Sequence, residues 1–223
     1  MSSINILGLD ASSDCCSVAL QYNGSIKEIY SKSIKERSQK LLIMIEQLIT
    51  DISPDELTAL AFAAGPGSLT GLKISSSIMQ ALNLVYKKPI IKISTLQAIA
   101  LQAFEESNAK LIMPCIDAKM GQLYYGVYNF DGSTDDVLPK TIKEDALSYP
   151  EQIEILDNNI LIVGDGANIL QQKTQLHLNT TSKFIPTAIQ SNAVAIVKLA
   201  NYWYKKYGII SNDANPIYLR SYD

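Results

Sequence analysis

The sequence predicts an α/β protein built on mixed β-sheets, and three observations carry that reading. Three short apolar-rich segments joined by turn residues open the chain, as antiparallel strands do. Strands and helices then alternate, as parallel strands with crossover helices do. The second half repeats the opening in weaker form, so the two halves are expected to share a fold. The length of 223 residues suits one large domain or two lobes of about 100 residues each.

The opening strands are expected at 4–10, 15–22 and 26–31, with turn chemistry at Ser12-Ser13-Asp14 and a strong hairpin signal at Asn23-Gly24. A helix follows over 36–51, then a buried strand over 59–64, the turn Gly65-Pro66-Gly67-Ser68 and a second helix over 69–86. A strand at 90–93 and a helix at 95–105 close this half. In the second half, segments 111–117 and 122–128 read as strands around the turn 118–121. The polar stretch 131–159 reads as a loop excursion with a short helix. A strand at 160–164, the turn Gly164-Asp165-Gly166, a helix and a final helix over 192–207 complete the chain.

Composition excludes several classes. Hydrophobic residues make up 47% and charged residues 18%, which is neither a disordered nor a collagen-like profile. No apolar run exceeds the six residues of 59–64, far short of the roughly 20 that span a bilayer, and Met1-Ser2-Ser3 is no basic leader. Three cysteines, two of them adjacent at Cys15 and Cys16, do not make a disulfide framework, so a reducing cytoplasm is expected. Nineteen basic against 22 acidic residues, with no dense Lys/Arg run, argue against autonomous grip on nucleic acid. The single histidine, His177, rules out any two-histidine metal motif.

Two loops have chemistry worth weighing. Asp10-Ala11-Ser12-Ser13 ends a buried strand, where N–H groups and hydroxyls converge on an anion and a carboxylate can hold hydrated Mg²⁺. An ordinary Asx/Ser turn explains the same residues. Gly65-Pro66-Gly67-Ser68 lacks the P-loop spacing and ending, and is read as a tight strand-to-helix turn capped by Ser68. Cys15 and Cys16 alternate faces, so at most one is core, and no base or cation marks either as a nucleophile.

The two early helices are more informative. On the first, Leu41, Leu42, Met44, Ile45, Leu48 and Ile49 span an arc of about 160°, wider than the roughly 100° stripe that covers one sheet. Ile43 falls on the polar side. On the second, Gly71, Leu72, Ile74, Ser75, Ile78, Met79, Ala81, Leu82, Val85 and Tyr86 occupy about 180°, with small Gly71 and Ser75 one turn apart where another backbone can approach. A helix sandwiched within its own domain and a shared helical interface both fit.

The chain resembles the TsaB family, also called YeaZ. The resemblance rests on Ile6-Leu7-Gly8-Leu9-Asp10-Ala11-Ser12, Cys16-Ser17-Val18-Ala19-Leu20, Ser38-Gln39-Lys40-Leu41-Leu42 and above all Gly65-Pro66-Gly67-Ser68-Leu69-Thr70-Gly71-Leu72-Lys73-Ile74. It continues through Ser94-Thr95-Leu96, residues 116–124, Gly164-Asp165-Gly166 and Pro216-Ile217-Tyr218-Leu219-Arg220. It implies an actin-like (ASKHA) fold of two lobes, each a mixed sheet with flanking helices, placed here at 1–104 and 105–223. It also implies a cytoplasmic, non-catalytic scaffold in making threonylcarbamoyladenosine (t6A37) in tRNA. Such a subunit dimerises with a TsaD-like catalytic subunit, works with a TsaE-like ATPase and is a homodimer when alone. It meets tRNA only through the complex.

The expected partner interface is Leu41, Met44, Ile45, Leu48, Gly71, Ile74, Ser75, Ile78 and Leu82. TsaD carries a His-x-x-x-His metal site, which one histidine cannot build, so ATP, Mg²⁺ and metal are expected on partner subunits. Many relatives carry His where this chain has Arg37. Asp10, Ser12, Ser13 and Asp117 are the nucleotide candidates. They keep a second class open: a small ATP-dependent phosphotransferase or ATPase using Asp10 and Asp117 with Mg²⁺.

Overall fold

The computed structural model describes residues 3–32, 35–131, 138–155, 157, 159–173, 183–185, 189–208 and 211–220. They form two compact units: Met1–Ala98 with Ser191–Ile217, and Ile99–Gln190 with Tyr218–Asp223.

The first unit holds a five-stranded sheet in the order β3-β2-β1-β4-β5. Its strands are β1 (Ile6–Asp10), β2 (Cys16–Tyr22), β3 (Ser25–Ser31), β4 (Ala59–Gly65) and β5 (Ile90–Ser94). The first three pair antiparallel, while β4 and β5 run parallel to β1, as the sequence order predicts. Asn23 and Gly24 both take positive φ, 50° and 81°, the conformation a two-residue hairpin turn needs.

Alternation along β1 sends Leu7 and Leu9 to one face and Gly8 to the other. Leu7 and Leu9 join a core with Val18, Leu60 and Phe62, capped by Leu41, Met44 and Ile45 of α1 (Arg37–Ile49) and Ile78 and Met79 of α2 (Leu69–Tyr86). The Gly8 face is covered by α5 (Ala193–Tyr207), packed so closely that a Cβ on Gly8 would lie 2.5 Å from Val197 Cγ1. Asn192 caps α5 by accepting from the Ala195 N–H, and Ser17 Oγ of β2 accepts from the Ala193 N–H at 2.8 Å.

The expected boundary between lobes, 1–104 and 105–223, is therefore corrected. The last helix returns to the first unit because its buried stripe of Ile196, Val197, Leu199 and Ala200 covers the otherwise bare face of that sheet.

The second unit repeats the topology. Its order, β8-β7-β6-β9-β10, places an antiparallel meander beside two parallel strands, as in the first unit. The strands are β6 (Leu111–Asp117), β7 (Leu123–Asn129), β8 (Lys140–Ser148), β9 (Leu161–Val163) and β10 (Lys183–Ile185), with α4 (Ala167–Lys173) beside them. The helix α3 (Thr95–Ser107) links the two units. β8 falls inside the stretch read as a loop excursion. It is an edge strand, polar and without a buried residue, so it lacks the apolar alternation that marks a strand with one face in the core.

Among the described residues no helix is long and apolar enough to cross a membrane. His177 lies outside the described residues.

One close approach dominates the first unit. A Cβ on Gly71 would sit 1.8 Å from the Ala11 carbonyl oxygen and 2.7 Å from Arg37 Nη1. The backbone expected to approach Gly71 is thus the chain's own, at the end of β1. Gly71→Ala should cost about 2–3 kcal/mol of unfolding free energy, because neither a backbone carbonyl nor a buried guanidinium can step aside, and urea denaturation reads this directly. Cysteine access gives a second check. Cys16 and Cys115 are buried, with their thiols pushed up by burial, whereas Cys15 is half-exposed. A thiol reagent should label one cysteine of the native protein quickly, and peptide mapping should place it at Cys15.

Candidate functional site

The turn after β1 is held from within. Asp10 is buried; one carboxylate oxygen accepts from the Ser12 N–H at 2.7 Å, while Oδ2 is buried without a partner among the described residues. Ser13 Oγ accepts from the Cys15 N–H at 3.3 Å. Ser12 donates nothing visible from its buried hydroxyl, but its carbonyl accepts from the Ser68 N–H at 2.7 Å. A Cβ on Gly67 would lie 2.4 Å from that same carbonyl. The loop between β4 and α2 is therefore docked backbone to backbone on the turn after β1.

That docking decides what the loops can hold. A phosphate cradle needs free N–H groups pointing into open space. Here the Ser12, Cys15 and Ser68 N–H groups are committed inside the chain, and Ser68 caps α2 by accepting from the Gly71 N–H at 3.3 Å. Magnesium and a nucleotide do not fit this set, whose one carboxylate is sealed in the turn.

Asp117 is likewise a turn residue. Its Oδ1 accepts from the Lys119 N–H, its Oδ2 pairs with Lys119 Nζ at 2.7 Å, and its own N–H donates to Asp165 Oδ1. Partial burial pushes the carboxyl up, but the hydrogen bonds and charge of Lys119 outweigh this and hold it below the usual carboxylate range. Lys119, Met120 and Gly121 all take positive φ, and Arg220 braces the turn by donating to the Ala118 carbonyl at 3.0 Å.

The helices α1 and α2 carry the surface of interest, and the structure redistributes the residues expected there. Leu41, Met44, Ile45 and Ile78 are core, Ser75 is fully buried, and Leu48, Ile74 and Leu82 pack against that core. Most of the wide apolar arc thus covers the chain's own sheet. Gly71 and Ser75 are withdrawn as docking positions for a partner backbone, since Ala11 and Arg37 already occupy the approach to Gly71. Ser75→Arg would bury an unpaired cation in the lobe and destabilise it.

The exposed apolar side chains lie on the outer side. Leu84 is 79% exposed and Val85 70%, joined by Leu42 at 54%, Ile43 at 45% and Leu69 at 40%. Leu42 sits at the rim of its predicted arc and Val85 inside its own, while Ile43, Leu69 and Leu84 fall on the polar side, where an apolar residue on an amphipathic helix is the signal that could have found them.

Arg37 opens α1 and is 6% exposed, donating from Nη1 to the Ala11 carbonyl at 3.0 Å. It ties the helix to the end of β1.

Comparisons with known proteins agree with this architecture. The family model described as TsaD, tRNA N6-adenosine threonylcarbamoyltransferase, matches residues 26–215. The tRNA threonylcarbamoyladenosine biosynthesis protein TsaB of Haemophilus influenzae is 31% identical, with 99% of this chain and 95% of that protein covered. The protein of the same description from Escherichia coli strain K12 is 29% identical, with 98% and 95% covered. The crystal structure of YeaZ from Pseudomonas aeruginosa superposes with a TM-score of 0.84 at 24% identity over 97% of this chain and 100% of that one, which speaks to the fold. With two mixed sheets of matching topology, a loop from β4 sealed on the turn of β1, and relatives aligned over nearly its full length, the chain belongs to the TsaB (YeaZ) family of tRNA threonylcarbamoyladenosine biosynthesis proteins.

Proposed function

We propose that the chain is the non-catalytic partner subunit of the machinery that transfers threonylcarbamoyl to N6 of adenosine 37 in tRNAs reading codons that begin with adenine. It docks the outer side of α1 and α2 on a TsaD-like catalytic subunit, and pairs with a second copy of itself when alone. A TsaE-like ATPase completes the complex. ATP, Mg²⁺ and the catalytic metal belong to the partners. The chain works in the cytoplasm.

The observation that carries this reading is the set of exposed apolar residues on α1 and α2, Leu84 and Val85 above all. Side chains of that size left bare at neighbouring positions are a liability on a monomer and an anchor in an interface. The match to the transferase model over 26–215 supports a TsaD-like partner, because two chains of the same fold can present the same helix pair in a homodimer or a heterodimer. The chain's own chemistry is absent on this reading. One histidine cannot build a two-histidine metal site, and the loops that resemble phosphate cradles are occupied by their own backbone.

The test uses surface positions that the lobe does not need. Leu84→Glu with Val85→Glu should lower capture of the TsaD-like subunit by about tenfold or more and shift the protein alone from dimer to monomer in light scattering. Its melting temperature should stay within a few degrees of the parent, since both side chains are exposed. A folded variant that still dimerises and still captures the partner would move the interface elsewhere. Calorimetry of the isolated chain with Mg-ATP should give weak or undetectable binding, and sub-micromolar binding lost in Asp10→Ala would restore the ATPase reading.

A further inference from the structure

The starts of α1 and α2 carry charge that the chain itself does not balance. Arg37 is the first residue of α1, is 6% exposed, and points its guanidinium between the two helix starts. Its Nη1 donates to the Ala11 carbonyl at 3.0 Å and stands 2.7 Å from where a Cβ on Gly71 would be. Its Nε is buried and has no partner among the described residues. Among those residues no carboxylate comes within ion-pair distance of Arg37, Lys40 or Lys73. Glu36, just ahead of α1, does not cap it through its side chain, and neither helix has an acid in its first turn. Asp10 ends the strand that Arg37 leads to, yet its carboxylate accepts from the Ser12 N–H instead.

A helix N-terminus is the positive end of the helix dipole, so cations are placed there against the local field. A guanidinium shielded from water with one neutral acceptor is costlier still, because burial strips its hydration and supplies no countercharge. Lys40 is half-buried in the same turn. Burial pushes the Cys16 thiol up against the pull of both Arg37 and Lys40, which puts the two cations at the same end of the sheet. Lys73 is exposed and falls on one stripe of α2 with the exposed Leu69 and Leu84. The whole chain is acidic, with 22 carboxylates against 19 cations, yet α1 and α2 set Arg37, Lys40 and Lys73 against a single carboxylate, Glu46.

From this imbalance we infer that the docking face of α1 and α2 takes an acidic partner surface, one carboxylate of which enters between the two helix starts and pairs with Arg37. The inference rests on the proposed docking of a TsaD-like subunit and specifies the chemistry of that subunit's face. A planar carboxylate matches the fork of a guanidinium and supplies the missing countercharge. A phosphate group needs several free N–H groups, and those of Ser12 and Ser68 nearby are already engaged. The surroundings are also those of a protein contact, since exposed Ile43 follows Lys40 by one turn and exposed Leu69 opens α2. A second copy of the chain is the poorer match, because its own face brings the same cations against one acid. Charge therefore favours the heterodimer over the homodimer.

Binding of the full-length chain to the TsaD-like subunit, followed by surface plasmon resonance across a salt series, tests this. Affinity should fall about tenfold between roughly 50 and 500 mM salt, mostly through slower association. Lys40→Gln with Lys73→Gln should weaken capture about tenfold at low salt and flatten the salt dependence, while self-association stays as strong or strengthens and the variant melts like the parent. Arg37→Gln should weaken capture yet melt within a few degrees of the parent, because losing one hydrogen bond is offset by removing an unpaired buried charge. Affinity that is flat or rises with salt, or a lysine variant that binds like the parent, would overturn the inference. So would calorimetric binding of inorganic phosphate to the isolated chain that Arg37→Gln abolishes. If Leu84→Glu with Val85→Glu loses capture while the lysine and Arg37→Gln variants keep it, the acidic partner face is wrong and the docking role stands. If the Leu84 and Val85 variant captures normally, the docking role fails and takes this inference with it.

Discussion

The contact on which the first unit depends is the seating of Gly71 against the Ala11 carbonyl. With no side chain at Gly71, α2 descends onto the end of β1 until backbone meets backbone, and the remaining space admits the Arg37 guanidinium, which donates to the same carbonyl. One carbonyl thereby locates the starts of both α1 and α2. From there the helical repeat does the rest: Leu41, Met44 and Ile45 on one helix and Ile78 and Met79 on the other fall onto the sheet, and Leu42, Ile43, Leu84 and Val85 are turned outward. The proposed docking surface is thus a geometric consequence of an internal packing requirement.

The same tightness removes a nucleotide cradle. In an α/β protein the loops at the carboxyl ends of parallel strands are where phosphate binds, and the β4–α2 loop is at such an end. Its proximity to the turn after β1 turns Ser68 N–H inward to Ser12 and leaves Gly67 no room for a side chain, let alone a phosphate. In the second unit the turn after β6 meets the same fate by another route, with Lys119 neutralising Asp117 and Arg220 bracing the backbone. In both units these turn groups are spent on the chain's own stability, which suits the proposed role of holding a partner.

Much of this was legible in the sequence where local chemistry and periodicity agreed. The bounds of α2 and the Asn23-Gly24 hairpin were read correctly because the Ser68 cap and the two left-handed turn positions are local signals. The strand β8 was missed because a polar edge strand without a buried residue carries no apolar alternation. The return of α5 to the first unit was missed because nothing local says which of two similar sheets a helix will cover. The partner surface was half read: a helical wheel gives the width of an arc but not how much of it one sheet consumes, and the sheet consumed Leu41, Met44, Ile45 and Ile78. Ser75 reads as a docking notch on the wheel and is fully buried in the structure, because a wheel does not show what tertiary packing places over a position.

Hydrogen–deuterium exchange of the chain, alone at low concentration and mixed with the TsaD-like subunit, tests the central claim most directly, because it maps the interface without changing a residue. The account predicts slower exchange on complex formation in peptides covering Arg37–Ile49 and Leu69–Tyr86, with the sheet of the second unit unchanged. Slowing confined to β7 and β8, or no difference at concentrations where the complex is demonstrably formed, would contradict it.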